Sequence, residues 1–174
     1  MKYSHKTIRE IYLIEPDIFY DHRGEYVETW NIEQYKKFGD VFDGIEWKQD
    51  SFSTSAKNTL RGLHGDSTTW KLIQCLKGSI MLAVVDMRPK SKTYLKHDVF
   101  YLNEKNRHQV LIPPMFANGH YVIEDCIFSY KQSTLYTGAQ NQFTVRWDDP
   151  ALNIVWPSKD PILSSRDKFA ELIY

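Results

Sequence analysis

This 174-residue chain has no long apolar run, no internal repeat and no excess of charge of either sign. No run approaches the roughly 18 apolar residues that span a bilayer, and the first residues lead into no apolar signal core. We therefore expect a cytoplasmic protein. The 22 basic and 22 acidic residues give a formal net charge of zero. Charge therefore offers no argument for binding to nucleic acid or to a membrane surface.

Cysteine is also scarce. Cys75 and Cys126 lie in apolar, strand-like runs, which favours buried free thiols over the alternative of a disulfide. Their separation matches no zinc-ligand pattern. A glycine-rich phosphate loop and a βαβ pattern are missing too, which disfavours a dinucleotide-binding Rossmann domain.

The chain is instead rich in aromatic residues, which make up 14% of it, within an apolar content of 42%. Its length suits one domain, residues 1–174, with a real core. Apolar segments separated by turn residues predict strands at Lys71–Leu76, Ser79–Met87, Val99–Leu102, His108–Ile112, Tyr121–Ile123, Cys126–Lys131 and Phe143–Trp147. Both alternating sets of Ser79–Met87 are apolar, so that strand should be covered on both faces. We expect an all-β fold, an antiparallel β-sandwich.

Turn and helix signals complete this prediction. Lys77-Gly78 is expected to form a tight turn between two strands. Asn31, with Gln34 three residues later and Gly39 at the far end, predicts a short helix over Ile32–Phe38. A second helix is predicted over Ser165–Leu172.

The chemistry concentrates in residues 60–71, where Arg61, His64 and Lys71 lie close together. Two cations beside an imidazole suit a site that binds an anion, removes a proton and stabilises the resulting negative charge. The simpler interpretation is two solvated cations and a structural histidine. A metal site made of His64, Asp66 and His120 is a weaker alternative, because the His-x-His of a metal-binding site is missing.

Local sequence alone gives plainer roles to the other candidates. Asn118 follows two prolines in a bend and can tolerate unusual backbone angles there. Tyr130 continues the period of Cys126 and Phe128 and reads as packing. Asp167 sits where it would favour a helix dipole.

Ordered motifs along most of the chain resemble the dTDP-4-dehydrorhamnose 3,5-epimerases, which are cupin-type enzymes without a metal. These motifs are FYDHRGEYVE at 19–28, QDS at 49–51, LRGLH at 60–64, KL at 71–72, VDMR at 85–88, IP at 112–113, FANG at 116–119, YK at 130–131, WDDP at 147–150, IVWP at 154–157 and LSSRD at 163–167.

The resemblance implies a cupin-type jelly roll, no cofactor and no metal, and a 4-keto sugar substrate. It makes His64 the general base with Asp167 as its acidic partner, Lys71 the cation at the enolate oxygen, and Tyr130 the general acid. It places the nucleotide sugar against Arg23, Glu28, Gln49, Ser51, Arg61, Asn118 and His120. It also implies a role in the biosynthesis of a capsular or surface polysaccharide, and a homodimer in which Arg23 or Glu28 can serve the partner's site.

Three residues depart from the family pattern. Gly65 and Asp66 stand where the family has an aromatic residue and Gln, and Asn118 stands where it has His. Gly65 removes bulk beside the base and Asp66 adds negative charge, so we expect a roomier, more polar sugar pocket. We therefore expect a substrate other than dTDP-4-keto-6-deoxyglucose, and a GDP-linked 4-keto-heptose is the candidate.

Epimerisation at C3 alone or at both C3 and C5 stays open. Two other functions fit the same scaffold: a sugar-nucleotide 3,4-ketoisomerase, and a non-catalytic module that binds a nucleotide sugar.

Overall fold

Strands make up most of the regular structure of this computed structural model, which describes residues 1–173 apart from the side chain of Asp40. They are β1 Lys2–Ser4, β2 Tyr12–Glu15, β3 Ile18–Asp21, β4 Gly24–Val27, β5 Gln49–Ser55, β6 Leu60–Gly65, β7 Lys71–Asp86, β8 His97–Asn103, β9 Gln109–Ile112, β10 Phe116–Gln132 and β11 Phe143–Thr144. The α-helices of the described range are α1 Ile32–Tyr35 and α2 Ser165–Lys168. Short 3-10 turns cover Lys36–Phe38, Asp40–Phe42 and Ala139–Asn141.

The two longest strands, β7 and β10, form the antiparallel pair around which the sheet is organised. Their register runs from Phe116 opposite Asp86 to Gln132 opposite Lys71, with bulges around residues 122–128. At one end of the pair lie β9 and β5, and at the other end β8 and β6. The long strands therefore pass from one layer of the molecule into the other, which gives the predicted antiparallel β-sandwich.

The tight turn predicted at Lys77-Gly78 is wrong, because β7 runs through it without a break. Gly78 has φ +74°, and a Cβ built there would lie 2.1 Å from the backbone oxygen of Asp125. The glycine thus serves a bulge where the two long strands change layer, and not a hairpin. Likewise, the strands predicted at Tyr121–Ile123 and Cys126–Lys131 are parts of one strand, β10.

The main core lies between the two layers. It joins Ile73 and Cys75 from one half of β7 to Leu82 and Val84 from the other. Met81 and Val85, on the opposite face of β7, pack in separate clusters and are also buried. The prediction that this strand is covered on both faces is confirmed.

The predicted helices form, but with different lengths. The side chain of Asn31 accepts hydrogen bonds from the backbone of Glu33 and Gln34, and α1 continues into the 3-10 turn to Phe38 as expected. The C-terminal helix is shorter than the predicted Ser165–Leu172 and ends at Lys168. Beyond it the chain is not helical, and the backbone N–H of Ile173 donates to Asp149.

The cysteines and the helices bear on two expectations drawn from composition. Cys75 and Cys126 are buried free thiols, as predicted. Among residues 1–173, no helix is long and apolar enough to cross a membrane.

Replacing Gly78 with Ala tests the bulge. The added methyl group would meet the Asp125 backbone oxygen, and the positive φ disfavours any L side chain. We expect Gly78→Ala to lower the free energy of unfolding by about 1–3 kcal/mol, measured by denaturant unfolding. Gly44→Ala is the control, because nothing lies within 4 Å of a Cβ there. Equal stabilities of the two variants would contradict the assignment.

Candidate active site

A cavity of about 600 Å³ opens on the face formed by β5, β6, β7 and β10, with α2 and the residues before it as one wall. It is lined by seven of the residues singled out from the sequence: Arg61, His64, Lys71, Asn118, His120, Tyr130 and Asp167. They come from four separate elements. Strand pairing explains the convergence, since Asn118 lies opposite His64 in the β6–β10 ladder.

Close backbone approach brings β6 and β10 together at this point. A Cβ on Gly119 would lie 2.7 Å from the Leu63 side chain and 3.0 Å from the backbone oxygen of Arg61. Gly62, at φ +129°, faces Gly119 across the same gap. Side chains at these two positions would push His64 away from Asn118.

His64 and Asp167 form a hydrogen-bonded pair at the base of the cavity. His64 Nε2 lies 2.6 Å from Asp167 Oδ1. The carboxylate is 3% exposed, whereas the imidazole is 24% exposed. Among the described residues the other ring nitrogen, Nδ1, has no hydrogen-bond partner, which leaves it available to a ligand.

Asp167 is held as a carboxylate. Burial by itself would raise its pKa, but hydrogen bonds from His64, Ser164 and the Gly62 backbone, together with the charge of His64, lower it below the ordinary value. Ser164 caps α2 by accepting from the Asp167 backbone N–H, so the helix start fixes the carboxylate in place. A fixed carboxylate beside an imidazole orients the ring and stabilises its protonated form.

Lys71 is a buried cation with neutral partners. Its Nζ donates to Asn118 Oδ1 at 2.9 Å and to the His64 backbone oxygen at 3.5 Å. Burial lowers its pKa to about 8; the charge of Asp66 acts against this shift and that of Arg166 adds to it. Within the described chain no carboxylate forms an ion pair with Lys71, so its charge is free to meet an anion.

Tyr130 and His120 form the wall that continues along β10. The His120 ring stacks on Phe128, with centroids 4.0 Å apart and planes 13° apart, and Phe128 contacts Tyr130. Burial lowers the pKa of His120 to about 3, and the charges of Arg61 and His64 add to the effect. His120 is therefore a neutral ring, and its Nε2 is buried without a hydrogen-bond partner in the described chain.

Two arginines bring positive charge to the cavity. Arg61 is exposed and donates to Ser55 Oγ and to the Thr54 backbone oxygen. Arg166 donates to Thr144 and Gln142, all neutral groups. Sequence reasoning missed Arg166, although its place directly before Asp167, on a helix start, was a usable signal. It also missed Ser53, Gln132, Tyr136 and Gln142 along the lining.

Four predicted binding residues lie outside the cavity of this chain. Arg23 is at the exposed tip of the β3–β4 hairpin, ion-paired with Asp21, and Glu28 follows the same hairpin. Gln49 and Ser51 hydrogen-bond to each other on β5, opposite Gln132 and Tyr130. They share a face with the cavity, but Ser53 takes the lining position.

The structure contradicts the expected effect of Gly65 and Asp66 on the pocket. Neither lines the cavity. A Cβ on Gly65 would lie 2.4 Å from both the Phe143 ring and the Phe116 backbone oxygen, so Phe143 already fills the space that the glycine leaves. The Asp66 carboxylate accepts hydrogen bonds from Thr68 and Thr69 and closes the loop before β7. Of the three departures only Asn118 faces the cavity.

The alternative of a metal site can be compared with the same geometry. Among the described residues, no group of three or more His, Cys, Asp or Glu side chains could hold a metal ion. Asp66 is engaged with its own loop and not with His64 and His120.

Fold and cavity together define a class. An oriented imidazole, an uncompensated lysine and a tyrosine around one cavity of an antiparallel sandwich are the parts of an enzyme that moves protons.

Comparisons with known proteins narrow this class. Residues 5–173 match the family model of dTDP-4-dehydrorhamnose 3,5-epimerase. The enzyme of that name from Shigella flexneri is 34% identical over 175 residues, covering 96% of this chain and 95% of its own. The crystal structure of dTDP-4-dehydrorhamnose 3,5-epimerase from Bacillus anthracis, with TDP and PPi bound, has a TM-score of 0.92 at 33% identity and covers 99% of each chain.

A further solved structure carries a sugar nucleotide. The dTDP-6-deoxy-D-glucose-3,5-epimerase from Legionella pneumophila, in complex with dTDP-4-keto-L-rhamnose, has a TM-score of 0.91 at 33% identity, covering 98% of this chain and 92% of its own. The chain belongs to the dTDP-4-dehydrorhamnose 3,5-epimerase family. It is an isomerase of the epimerase type, as the sequence motifs indicated.

The lowered pKa of Lys71 makes stability depend on pH. Because the folded-state pKa is about 8 and the ordinary value is 10.5, the unfolded chain holds more protons between these values, so stability rises with pH across that window. Below pH 8 the buried charge costs up to about 3 kcal/mol. We expect the stability of Lys71→Met relative to wild type to be greatest below pH 8 and to fall toward pH 10.5.

Denaturant unfolding over this pH range measures the difference. The control is Lys92→Met, which removes an exposed lysine and should change stability equally at every pH. A difference between Lys71→Met and wild type that does not vary with pH would contradict the assigned pKa.

Proposed function

We propose that this chain epimerises a dTDP-linked 4-keto-6-deoxyhexose, dTDP-4-keto-6-deoxyglucose, at both C3 and C5. The observation that carries the proposal is the placement of the His64–Asp167 pair, Lys71 and Tyr130 around one cavity. The relatives described above are dTDP-sugar 3,5-epimerases, which supports the dTDP nucleotide and the two centres.

The chemistry begins with proton removal. A ketone at C4 acidifies the C–H bonds at C3 and C5. His64 Nε2 is tied to Asp167, so Nδ1 is the atom that takes the proton, and the carboxylate stabilises the imidazolium that forms. The electron pair of the C–H bond moves into the enolate, and its negative charge gathers on O4. Lys71 is the cation that meets it.

Inversion requires a proton from the opposite face. Tyr130 lines the cavity, and its hydroxyl has no hydrogen-bond partner among the described residues. The Tyr130 O–H bond breaks as the new C–H bond forms, which restores the ketone with inverted configuration. The enzyme is left with a protonated His64 and a deprotonated Tyr130, and exchange with solvent resets both.

Arg61 is the residue of this chain that would bind the diphosphate. Arg61 is exposed at the rim and its protein partners are neutral, so its charge is available to phosphate oxygens. Asn118, whose amide oxygen accepts from Lys71, and the neutral imidazole of His120 line the same cavity, where the sugar would lie.

The predicted GDP-linked heptose gains no support from the comparisons. The structural argument for it is also weakened, because Gly65 and Asp66 do not enlarge the cavity. We therefore propose the dTDP-hexose as the substrate and keep the GDP-heptose as a comparison substrate in the test.

A homodimer is part of the proposal. Arg23 and Glu28 lie outside the cavity of their own chain, on or beside a hairpin whose Phe19, Tyr20 and Tyr26 are at least 60% exposed. Such an apolar, exposed hairpin suits docking on a second copy, where the partner subunit's Arg23 would reach this cavity.

Deuterium incorporation tests the function. In D₂O the wild-type protein should place deuterium at C3 and C5 of dTDP-4-keto-6-deoxyglucose, followed by NMR, at a rate well above that with a GDP-4-keto-heptose. His64→Ala should lower turnover by about 10²–10⁴-fold, because the general base is lost. His108→Ala, outside the cavity, is the control and should stay active. Binding without exchange would favour the non-catalytic module, and a proton moved between C3 and C4 would favour the ketoisomerase.

Tyr130→Phe separates the two half-reactions. Removing the hydroxyl while keeping the ring should preserve binding and proton abstraction but impair protonation on the opposite face. We expect deuterium to enter the substrate with little inverted product, measured by mass spectrometry and NMR. Product formation at the wild-type rate would exclude Tyr130 as the acid.

A further inference from the structure

Asn118 lies at a point of the cavity wall where strand pairing on both sides fixes the backbone. Its strand, β10, is paired on both sides, and at this position Asn118 lies between His64 of β6 and Val84 of β7. The β6–β10 register shifts directly after it, between Asn118 and His120. The backbone therefore has little freedom, and the amide group is fixed beside the base.

That amide group binds the ammonium of Lys71. A protonated lysine has three N–H donors, and two of them are occupied here, by Asn118 Oδ1 at 2.9 Å and by the His64 backbone oxygen at 3.5 Å. Two fixed acceptors set the direction of the third N–H bond. Because both acceptors are on strands that form the cavity wall, β6 and β10, the third N–H of Lys71 is left for an oxygen atom inside the cavity.

The charge of the two acceptors matters as much as their position. Both are neutral, so neither cancels the ammonium charge. The charges that act on Lys71 are those of Asp66 in the following loop and Arg166 of α2. The other titratable groups that line the same cavity are Arg61, His64, His120, Tyr130, Tyr136 and Asp167, and Asp167 is paired with His64. The Asp66 carboxylate is engaged with Thr68 and Thr69, and Arg166 adds positive charge. A carboxylate at position 118 would lie in direct contact with the ammonium and would compensate it.

We propose that Asn118 is a positioning residue, whose neutral amide oxygen aims the third N–H of Lys71 at the keto oxygen of the sugar and leaves the full charge for the enolate. This inference rests on the proposed function, which supplies the keto oxygen. It gives the chain a specific requirement at position 118: an acceptor of hydrogen bonds that carries no charge.

Asn118→Asp keeps the shape and the acceptor but adds the charge. We expect kcat to fall by about 10²–10³-fold, as when an oxyanion donor is lost. Because the proposed reaction needs a protonated Lys71, whose pKa is about 8, loss of this proton should set the alkaline limb of the profile of kcat/KM against pH. In Asn118→Asp that limb should move up by about 1–3 pH units, since an opposite charge favours the protonated lysine. Asn118→Ala, which removes the acceptor without adding charge, should lower kcat without moving that limb upward, because a lost hydrogen bond to the ammonium can only disfavour the protonated lysine. Asn153→Asp adds the same charge at an exposed site and should change neither quantity.

A second measurement needs no substrate. In protein labelled with [¹³Cε]lysine, the resonance absent from Lys71→Met identifies Lys71, and its pH titration should shift upward in Asn118→Asp relative to wild type and Asn153→Asp. An unshifted titration would overturn the contact between the two side chains. A shifted titration with unchanged kcat would overturn the role of the uncompensated charge.

The outcomes also separate this inference from the proposed function. A wild-type protein that turns over the dTDP-sugar while Asn118→Asp remains fully active defeats the inference alone. A wild-type protein that exchanges no proton in any of the sugars defeats the proposed function, and the role of Asn118 in the reaction falls with it.

Discussion

The antiparallel pairing of β7 with β10 is the constraint on which the rest of this molecule depends. These strands cross from one layer of the sandwich to the other, so a single ladder builds both the core and one side of the cavity. Lys71 stands at the start of β7 and Tyr130 near the end of β10, almost opposite each other. A slip of one residue in this register would turn one set of side chains from the cavity to the opposite face.

The two buried charges of the site, on Asp167 and Lys71, differ in whether they have a charged partner. The carboxylate of Asp167 is paired with His64, where its negative charge orients the imidazole and stabilises its protonated form. Among the described residues, the hydrogen-bond acceptors of the Lys71 ammonium are neutral oxygens. Burial of an unpaired charge is costly in folding, and the depressed pKa of Lys71 reflects that cost. In the proposed reaction the same cost is recovered when the enolate forms.

Three residues have roles in the folded chain that differ from those the sequence suggested: Gly65, Asp66 and Gly78. Gly65 and Asp66 interrupt a family motif beside the base. Gly65 makes room for the Phe143 ring, and Asp66 closes the loop before β7. Gly78 has the sequence appearance of a hairpin turn but belongs to a bulge in a continuous strand. Both predictions for these glycines were wrong, because the neighbour that excludes a side chain at each position is distant in sequence. Phe143 and Asp125 could not be identified as those neighbours from local patterns.

The sequence by itself determined the all-β class, the burial of β7 on both faces, the cap of α1 at Asn31 and the family. It could do so because alternation of apolar residues, capping residues and ordered motifs are local properties of the chain. The family resemblance implied that Asp167 partners His64, and the tertiary structure shows that contact across 103 positions of sequence. Only the tertiary structure decided that Arg166 joins the cavity and that Asn118 holds Lys71. It also decided that Arg23 and Glu28 lie outside their own chain's cavity. These relations depend on strand register and on the path of the chain after the last strand, and both are set by long-range packing.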